Sequence, residues 1–176
     1  MEKELLAKKI YDISHIEGEF KLRSGTVSNE YFDKYLFESN PELLRNIAEY
    51  LSELIPSDTE VLAGLEMGGI PIATALSLKT GIPAVYVRKK AKEYGTCKLA
   101  EGISIENKNV CIVEDVVTTG GQIKLSAEDL KQYGAKVQNV LCVIERTPTS
   151  KENLKSADLE LLSLFTMEEL KASKIL

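Results

Sequence analysis

Uninterrupted apolar runs alternate with helix-like segments along most of the chain, and this alternation restricts the possible folds more than any other feature. The runs are apolar without a break, as strands are when helices cover both faces of a sheet. We therefore predict an α/β fold built on a parallel, twisted sheet flanked by helices. The predicted strands are Val61–Gly64, Ala84–Val87, Val110–Val113, Val137–Ile144 and Leu159–Phe165.

Helical periodicity and turn residues predict the other elements. The 176 residues suit one ordinary domain. We predict a single domain over residues 1–176, with an N-terminal hood of about residues 1–40 plus part of the C-terminal region, and a core of about residues 41–150. The predicted helices are 2 to about 14, 41 to about 54, 69–80, about 120–133 and about 167–172, and short extended pieces are predicted around 19–22 and 29–33.

The composition is that of a globular protein in water. Apolar residues make up 44% and charged residues 28% of the chain, which is too apolar for disorder. No apolar stretch approaches the roughly 20 residues that cross a bilayer, and the charged N-terminal segment is unlike a secretory signal. The cysteines, Cys97, Cys111 and Cys142, form no CxxC pair, and His15 cannot complete a zinc site with them. We expect a reducing, cytoplasmic location and a helix-end or surface role for His15.

Positive charge is concentrated in one segment of an acidic chain. The chain has 22 Lys and Arg against 27 Asp and Glu, a net charge of −5, which disfavours a broad nucleic-acid-binding surface. Within Arg88–Lys98, five residues are basic and one is acidic. Such an island suits a compact anionic ligand such as phosphate, and a solvated charged loop is the alternative.

A phosphate-binding turn is predicted after the strand Val110–Val113. The chain continues with two acids, Glu114 and Asp115, and then with a Thr/Gly turn that enters a helix. Glycines let backbone N–H groups converge on an anion, and the first turn of a helix adds free N–H groups. Carboxylates beside such a nest accept hydrogen bonds from sugar hydroxyls, so a sugar phosphate suits the site. The alternative is an ordinary strand–turn–helix junction with a capping threonine.

Several segments together resemble one enzyme family. VCIVEDVVTTGGQ resembles the phosphoribosyl pyrophosphate (PRPP) signature of type I phosphoribosyltransferases. GEFKLRSGTVSNEYFDKY (18–35), GLEMGGIPIATALS (64–77), VRKKAKEYGT (87–96) and CVIERT (142–147) resemble orotate phosphoribosyltransferase, so the likeness covers about residues 18–147. It implies a type I phosphoribosyltransferase-like fold and transfer of the phosphoribosyl group of PRPP to orotate. It also implies Mg²⁺ as cofactor, held mainly through PRPP with no dedicated set of protein ligands.

The resemblance implies a PRPP site shared between two subunits of a homodimer. The acids of the signature contact the ribose hydroxyls, and the turn after them holds the 5-phosphate. Lys92, Lys89 and Asp115 are the implied catalytic residues. The basic segment reaches the pyrophosphate in the neighbouring subunit's active site through Arg88, Lys89, Lys92 and Tyr94. The full implied PRPP site is Arg88, Lys89, Lys92, Tyr94, Glu114, Asp115, Val116, Val117, Thr118, Thr119, Gly120, Gly121 and Gln122.

The implied orotate site joins distant parts of the chain. A planar arginine fork suits the carboxylate and carbonyls of orotate, which favours Arg146 over the alternative of a surface charge. Tyr31 and Phe32 match the strand that lies against the pyrimidine, with plain core packing as the alternative. The implied orotate site is Thr118, Arg146, Arg23, Tyr31 and Phe32.

A few positions depart from the family pattern. Tyr94 stands where bacterial members commonly carry a loop histidine, so no proton-transfer role carries over to it. Gly68 stands where many members carry a PRPP-contacting lysine, and the EMGG turn at 66–69 therefore lacks one positive charge. Gln122 replaces a frequent serine or threonine, and Arg23 replaces a usual lysine.

Two other functions share parts of this pattern. A phosphoribosyltransferase for a purine or uracil would share the PRPP signature, although the hood and the basic segment favour orotate. A non-catalytic, PRPP-sensing regulator that binds nucleic acid would also need the signature. The net charge of −5 and the lack of a helix-turn-helix extension disfavour that regulator.

Overall fold

The computed structural model describes residues 1–21, 25–90 and 99–175. The helices are α1 (Lys3–Ser14), α2 (Lys34–Glu38), α3 (Pro41–Ser52), α4 (Gly69–Thr80), α5 (Gly121–Gln132), α6 (Thr149–Lys155) and α7 (Met167–Ala172), followed by a short 3₁₀ helix at Ser173–Ile175. The strands are β1 (His15–Lys21), β2 (Val27–Phe32), β3 (Val61–Leu65), β4 (Ala84–Val87), β5 (Ala100–Glu101), β6 (Asn109–Val117), β7 (Lys136–Glu145) and β8 (Glu160–Thr166).

The main sheet has the strand order β5-β4-β3-β6-β7-β8. Every neighbouring pair in it is parallel except β4 and β5. Strand β3 lies inside the sheet between β4 and β6, and its residues are all buried. The predicted α/β fold with a mostly parallel sheet is confirmed.

Helices cover both faces of this sheet and form two hydrophobic cores. Successive side chains of a strand point to opposite faces. On β3, Leu62 packs with residues of α1, α3, α4 and α7, whereas Val61 and Ala63 pack with residues of α5 and α6. Within the described ranges, none of the helices combines the length and the apolar character needed to cross a bilayer.

An antiparallel hairpin of β1 and β2 precedes the sheet. Strand β1 begins at His15, directly after α1, so the prediction of an extended piece only from residue 19 was wrong. His15 is the C-cap of α1, which confirms the expected helix-end role. Its ring stacks on Tyr11 with the ring centroids 4.9 Å apart, and its Nε2 lies 2.8 Å from Glu30 Oε2. These contacts hold the hairpin against α1.

Strand β6 is longer than predicted. It runs to Val117 rather than ending at Val113, because Glu114 and the residues after it continue the ladder with β7. The two acids therefore belong to the strand itself and not to the turn after it. Three further elements, α2, α6 and β5, were not predicted, because elements this short carry too little periodicity to detect.

Two leucines of α4 provide a test of this packing. Leu76 has no exposed surface, whereas Leu78 is 85% exposed on the same helix. We expect Leu76→Ala to lower the free energy of unfolding by about 2–5 kcal/mol, because it leaves a cavity in the core. The matched variant Leu78→Ala should change it by less than about 0.5 kcal/mol. Urea denaturation measures both, and equal effects would contradict the assigned burial.

Candidate active site

Four loops follow the carboxyl ends of β3, β4, β6 and β7, the edge at which parallel sheets bind ligands. Because β3, β6 and β7 are neighbours in the sheet, their loops lie side by side. The loops begin at Glu66 after β3, at Arg88 after β4, at Thr118 after β6 and at Arg146 after β7. The sheet therefore brings the predicted phosphate turn, the acids and Arg146 together.

The two acids of β6 have different surroundings. Glu114 and Asp115 are neighbours, and Glu114 Oε2 accepts a hydrogen bond from the backbone N–H of Asp115 at 3.3 Å. The Asp115 side chain has no exposed surface, whereas Glu114 is half-buried. Burial raises the pKa of Glu114 to about 8, and the neighbouring charge of Asp115 adds to this shift. The pair thus consists of a water-accessible acid and an enclosed acid.

A lysine that the sequence analysis missed pairs with the enclosed acid. Lys34 Nζ lies 2.6 Å from Asp115 Oδ2, in a close ionic contact whose angles do not make a hydrogen bond. Burial alone would lower the pKa of Lys34, but the contact with Asp115 outweighs burial, and the net shift is upward. The available signal was the spacing of Lys34 and Glu38, which places both on one face of a short helix.

Glu38 completes an acidic cluster under α2. It is buried, and burial raises the pKa of its carboxyl to about 9, with Asp115 as the next cause. Its Oε1 is buried without a hydrogen-bond partner. We conclude that Glu38 is protonated at neutral pH, which leaves Lys34 to balance the charge of Asp115.

The turn after β3 lies directly on the enclosed acid. A Cβ placed on Gly68 would lie 1.5 Å from Asp115 Oδ2, so any side chain there would collide with the carboxylate. This close approach explains why glycine stands at position 68. Glu66 of the same turn accepts a hydrogen bond from the backbone N–H of Lys89 at 2.5 Å, which fixes the start of the basic segment.

The turn between β6 and α5 has the features expected of an anion nest. Thr118 and Thr119 are exposed, and α5 begins at Gly121, so backbone N–H groups of its first turn point away from the helix. Gly120 is the N-cap of α5 and no side chain caps the helix there, which corrects the alternative of a capping threonine. In the part of the chain that the structure describes, the hydrogen bond from this end of α5 to a threonine side chain is long, from Gly121 N–H to Thr119 Oγ1 at 3.4 Å.

A buried carboxylate supports the loop after β7, and the sequence analysis missed it as well. Glu145 is 4% exposed and accepts a hydrogen bond from Ser150 Oγ at 3.1 Å. Thr147 Oγ1 donates to the carbonyl of Thr118, which joins this loop to the phosphate turn. Both neighbours of Arg146 in the chain are therefore held in place.

A cleft of about 650 Å³ lies between the hairpin, the loop after β7 and α7. Tyr31, Phe32 and Arg146 all line it, so these residues of the implied orotate site share one cavity. Tyr31 is 45% exposed, which excludes plain core packing for this residue, whereas Phe32 also packs against the core. Arg146 is exposed, but it faces this cleft. Other lining residues are Tyr11, His15, Glu30, Thr147, Met167 and Lys171.

The remaining residues of the implied sites lie elsewhere. Arg23, Lys92 and Tyr94 are outside the described residues. Arg88 Nε lies 3.2 Å from Glu101 Oε1 of β5, in an ion pair at the start of the basic segment. Val116 and Val117 belong to β6, Lys89 is exposed after β4, and Gln122 is exposed in the first turn of α5.

Two adjacent glycines test the geometry of the phosphate turn. Gly120 has φ +78°, and a Cβ placed on it would lie 2.9 Å from Leu154 side-chain atoms. We expect Gly120→Ala to lower the free energy of unfolding by about 1–3 kcal/mol through backbone strain. In Gly121→Ala the nearest atom to the new Cβ is 3.7 Å away, so its stability should match that of the wild type. A Gly120→Ala variant as stable as Gly121→Ala in urea denaturation would contradict this geometry.

Comparisons with known proteins agree with this geometry. The phosphoribosyl transferase domain family matches residues 37–166. An orotate phosphoribosyltransferase of Nocardioides is 48% identical over 169 residues, which cover 96% of this chain and 94% of the relative. The Mycobacterium tuberculosis orotate phosphoribosyltransferase, solved with Fe(III) dicitrate, superposes with a TM-score of 0.87 at 29% identity, covering 96% of this chain and 98% of that one. A structure of the same enzyme in complex with PRPP superposes with a TM-score of 0.82 at 26% identity, with the same coverage of both chains.

Proposed function

The chain belongs to the orotate phosphoribosyltransferases, and from this premise we propose that it transfers the phosphoribosyl group of PRPP to orotate in pyrimidine biosynthesis. The products are orotidine 5′-phosphate and pyrophosphate. The observation that carries the proposal is the direct link between the phosphate turn and the loop of Arg146, through the bond from Thr147 to Thr118. A phosphate bound at one loop and a base bound at the other would belong to a single nucleotide.

The phosphate turn binds the 5-phosphate of PRPP in this proposal. Thr118 and Thr119 offer exposed hydroxyls, and the N-terminus of α5 adds backbone N–H groups and the positive end of the helix dipole. Glu114 and Asp115 lie just before the turn and accept hydrogen bonds from the ribose hydroxyls. The half-buried position of Glu114 supports its assignment to the ribose, and the place of Asp115 beneath the turn after β3 supports the same assignment for that residue.

Orotate binds in the cleft beside the hairpin. The guanidinium of Arg146 pairs with the carboxylate and carbonyls of the base, and its planar fork suits two parallel hydrogen bonds. Tyr31 and Phe32 lie against the pyrimidine ring, with Phe32 fixed by its contact with the core. Thr118 touches both substrates, because it joins the phosphate turn to the loop after β7. Arg23 is the further contact that the family resemblance assigns.

The reaction forms one bond and breaks one bond at C1 of the ribose. A ring nitrogen of orotate attacks C1, the bond from C1 to the pyrophosphate oxygen breaks, and that oxygen takes the electron pair. The proton of the ring nitrogen passes to the leaving pyrophosphate. Positive charge develops on the ribose ring and negative charge on the leaving group. Preorganised cations stabilise such charge strongly in a site that excludes water.

The leaving pyrophosphate is stabilised by the basic segment and by Mg²⁺. Bound Mg²⁺ supplies Lewis-acid neutralisation of the phosphate oxygens. We propose that the ion would be held mainly through PRPP, with no dedicated set of protein ligands, as the family resemblance implies.

We also propose that the enzyme is a cytoplasmic homodimer. In it, Arg88, Lys89, Lys92 and Tyr94 act in the active site of the neighbouring subunit. Glu66 and Glu101 support this arrangement, because they hold Lys89 and Arg88 at the start of the basic segment. The cytoplasmic location is supported by the buried, unpaired thiols of Cys111 and Cys142.

A base-selection assay tests the proposed function. We expect purified protein with Mg²⁺ and PRPP to consume orotate, seen as loss of the orotate absorbance, and to release one pyrophosphate per orotate. Uracil, adenine and guanine in parallel reactions should react far more slowly, because they lack the carboxylate that pairs with Arg146. Faster turnover of a purine or uracil would assign a different base, and tight PRPP binding with no pyrophosphate release would indicate a regulator.

The basic segment provides a second test. Lys92→Ala should lower kcat by about a hundredfold or more at saturating substrates, because it removes a cation that stabilises the leaving group. The control is Lys108→Ala, since Lys108 pairs with Glu60 at the amino end of β6, the opposite edge of the sheet. Steady-state kinetics of both variants, with circular dichroism to confirm folding, distinguish the outcomes. A Lys92→Ala variant with near-normal kcat would remove this residue from the mechanism.

A further inference from the structure

We propose that Lys34 is a positioning residue for the phosphoribosyl transfer: its ammonium orients the enclosed carboxylate of Asp115 beneath the ribose site. This inference rests on the proposed function and deepens it. Lys34 lies on α2, outside the loops at the carboxyl edge of the sheet. It falls within the segment 18–35, but the sequence analysis gave it no role.

Both oxygens of the Asp115 carboxylate are held. The backbone N–H of Val116 donates to Oδ1 at 2.5 Å, and Lys34 Nζ lies 2.6 Å from Oδ2. The backbone at Gly68 closes the remaining side, where even a Cβ would collide with Oδ2. The carboxylate therefore has one orientation in this enclosure, and Lys34 is the only side chain among the described residues that forms an ion pair with it.

The ammonium also reaches towards the substrate side of this enclosure. The Lys34 side chain is 33% exposed, whereas the Asp115 side chain is 0% exposed. Its Nζ lies 5.3 Å from the centre of the Tyr35 ring, a cation–π contact that restrains the chain from the outer side. Lys34 thus stands between the buried acid and solvent.

The balance of charge explains why the lysine is needed. Burial raises the pKa of both Glu38 and Glu114, and Lys34 opposes both shifts. Among the described residues, Lys34 is the cation that pairs with Asp115 in this cluster of three acids, Glu38, Glu114 and Asp115. The titratable groups facing Asp115 are Lys34 and Glu38 on α2, Glu114 on β6 and the buried Cys142 thiol on β7; the turn after β3 presents only backbone.

The place of Lys34 in the chain connects the acid to the base cleft. Only Asp33 separates it from Phe32, which lines that cleft. Asp33 fixes the junction, because its Oδ1 caps α2 by accepting from Tyr35 N–H at 3.1 Å, and its own N–H donates to Ser14 O at 2.8 Å. The ion pair therefore ties the strand beneath the pyrimidine to the strand beneath the ribose.

The pH profile of kcat/KM for PRPP tests this role. In Lys34→Met, we expect the acid limb to move to higher pH by about one unit or more, because Lys34 opposes the upward shift in the pKa of Glu114 and its removal takes that opposition away. Lys34→Arg keeps the positive charge, so the acid limb of its pH profile should stay at the wild-type pH. The control Lys79→Met removes a lysine with the same 2.6 Å contact, made to Glu49 at the exposed surface, and should leave the profile unchanged. A Lys34→Met profile that matches the wild type overturns the inference.

A double-variant comparison tests whether Lys34 acts through Asp115, and it stays informative if Lys34→Met alone fails to fold. Asp115→Asn and the double variant Lys34→Met/Asp115→Asn both avoid a buried, unpaired carboxylate. We expect their affinities for PRPP in calorimetry to agree within about twofold, because the lysine has lost the group it positions. A further tenfold loss in the double variant would show that Lys34 acts independently. Wild-type protein that consumes no orotate would overturn the proposed function itself.

Discussion

The carboxylate of Asp115 is wholly enclosed, and enclosing it costs free energy. Several separate segments of the chain are placed so that their groups offset this cost. Removing a carboxylate from water costs several kcal/mol, which is offset only by a counter-ion and hydrogen bonds in good positions. Lys34 provides the counter-ion, and the backbone of Val116 provides the hydrogen bond. Gly68 allows the neighbouring turn to close over them. These groups meet only because parallel pairing places β3 beside β6 with their carboxyl ends level.

This constraint extends from the sheet to the N-terminal hairpin. Helix α2 carries Lys34 at its start and Phe37 in the core, so it is anchored by charge on one side and by apolar packing on the other. Strand β2 leads directly into α2, and the stacking of His15 on Tyr11 ties the hairpin back to α1. The wall of the base cleft is therefore fixed relative to the acids of β6, although the hairpin forms a separate sheet.

The sequence predicted those features that are encoded locally. Strand β4, helix α4 and the turn before α5 are each marked by apolar runs or by glycines within a few residues, and the structure contains all three. The sequence analysis did not identify Lys34 and Glu145, because their roles depend on partners far away in the chain. Lys34 pairs with Asp115, and Glu145 accepts a hydrogen bond from Ser163. The end of β6 was misplaced for a similar reason, since pairing with β7 continues the strand through two charged residues that would otherwise indicate a turn.

The loops after β6 and β7 bind different parts of the substrates. The loop after β6 provides groups that any phosphoribosyl donor requires, and the loop after β7 provides groups that suit one base. The turn at Thr118 offers hydroxyls and backbone amides, which any 5-phosphate can use. Arg146 and the hairpin residues Tyr31 and Phe32 form a wall whose charge and shape suit a planar, anionic ring. The hydrogen bond from Thr147 to Thr118 joins the two loops. The spacing between the phosphate subsite and the base subsite is therefore set by the adjacent strands β6 and β7. Base selection can therefore change through the hairpin and the loop after β7, while the phosphate turn and its acids stay as they are.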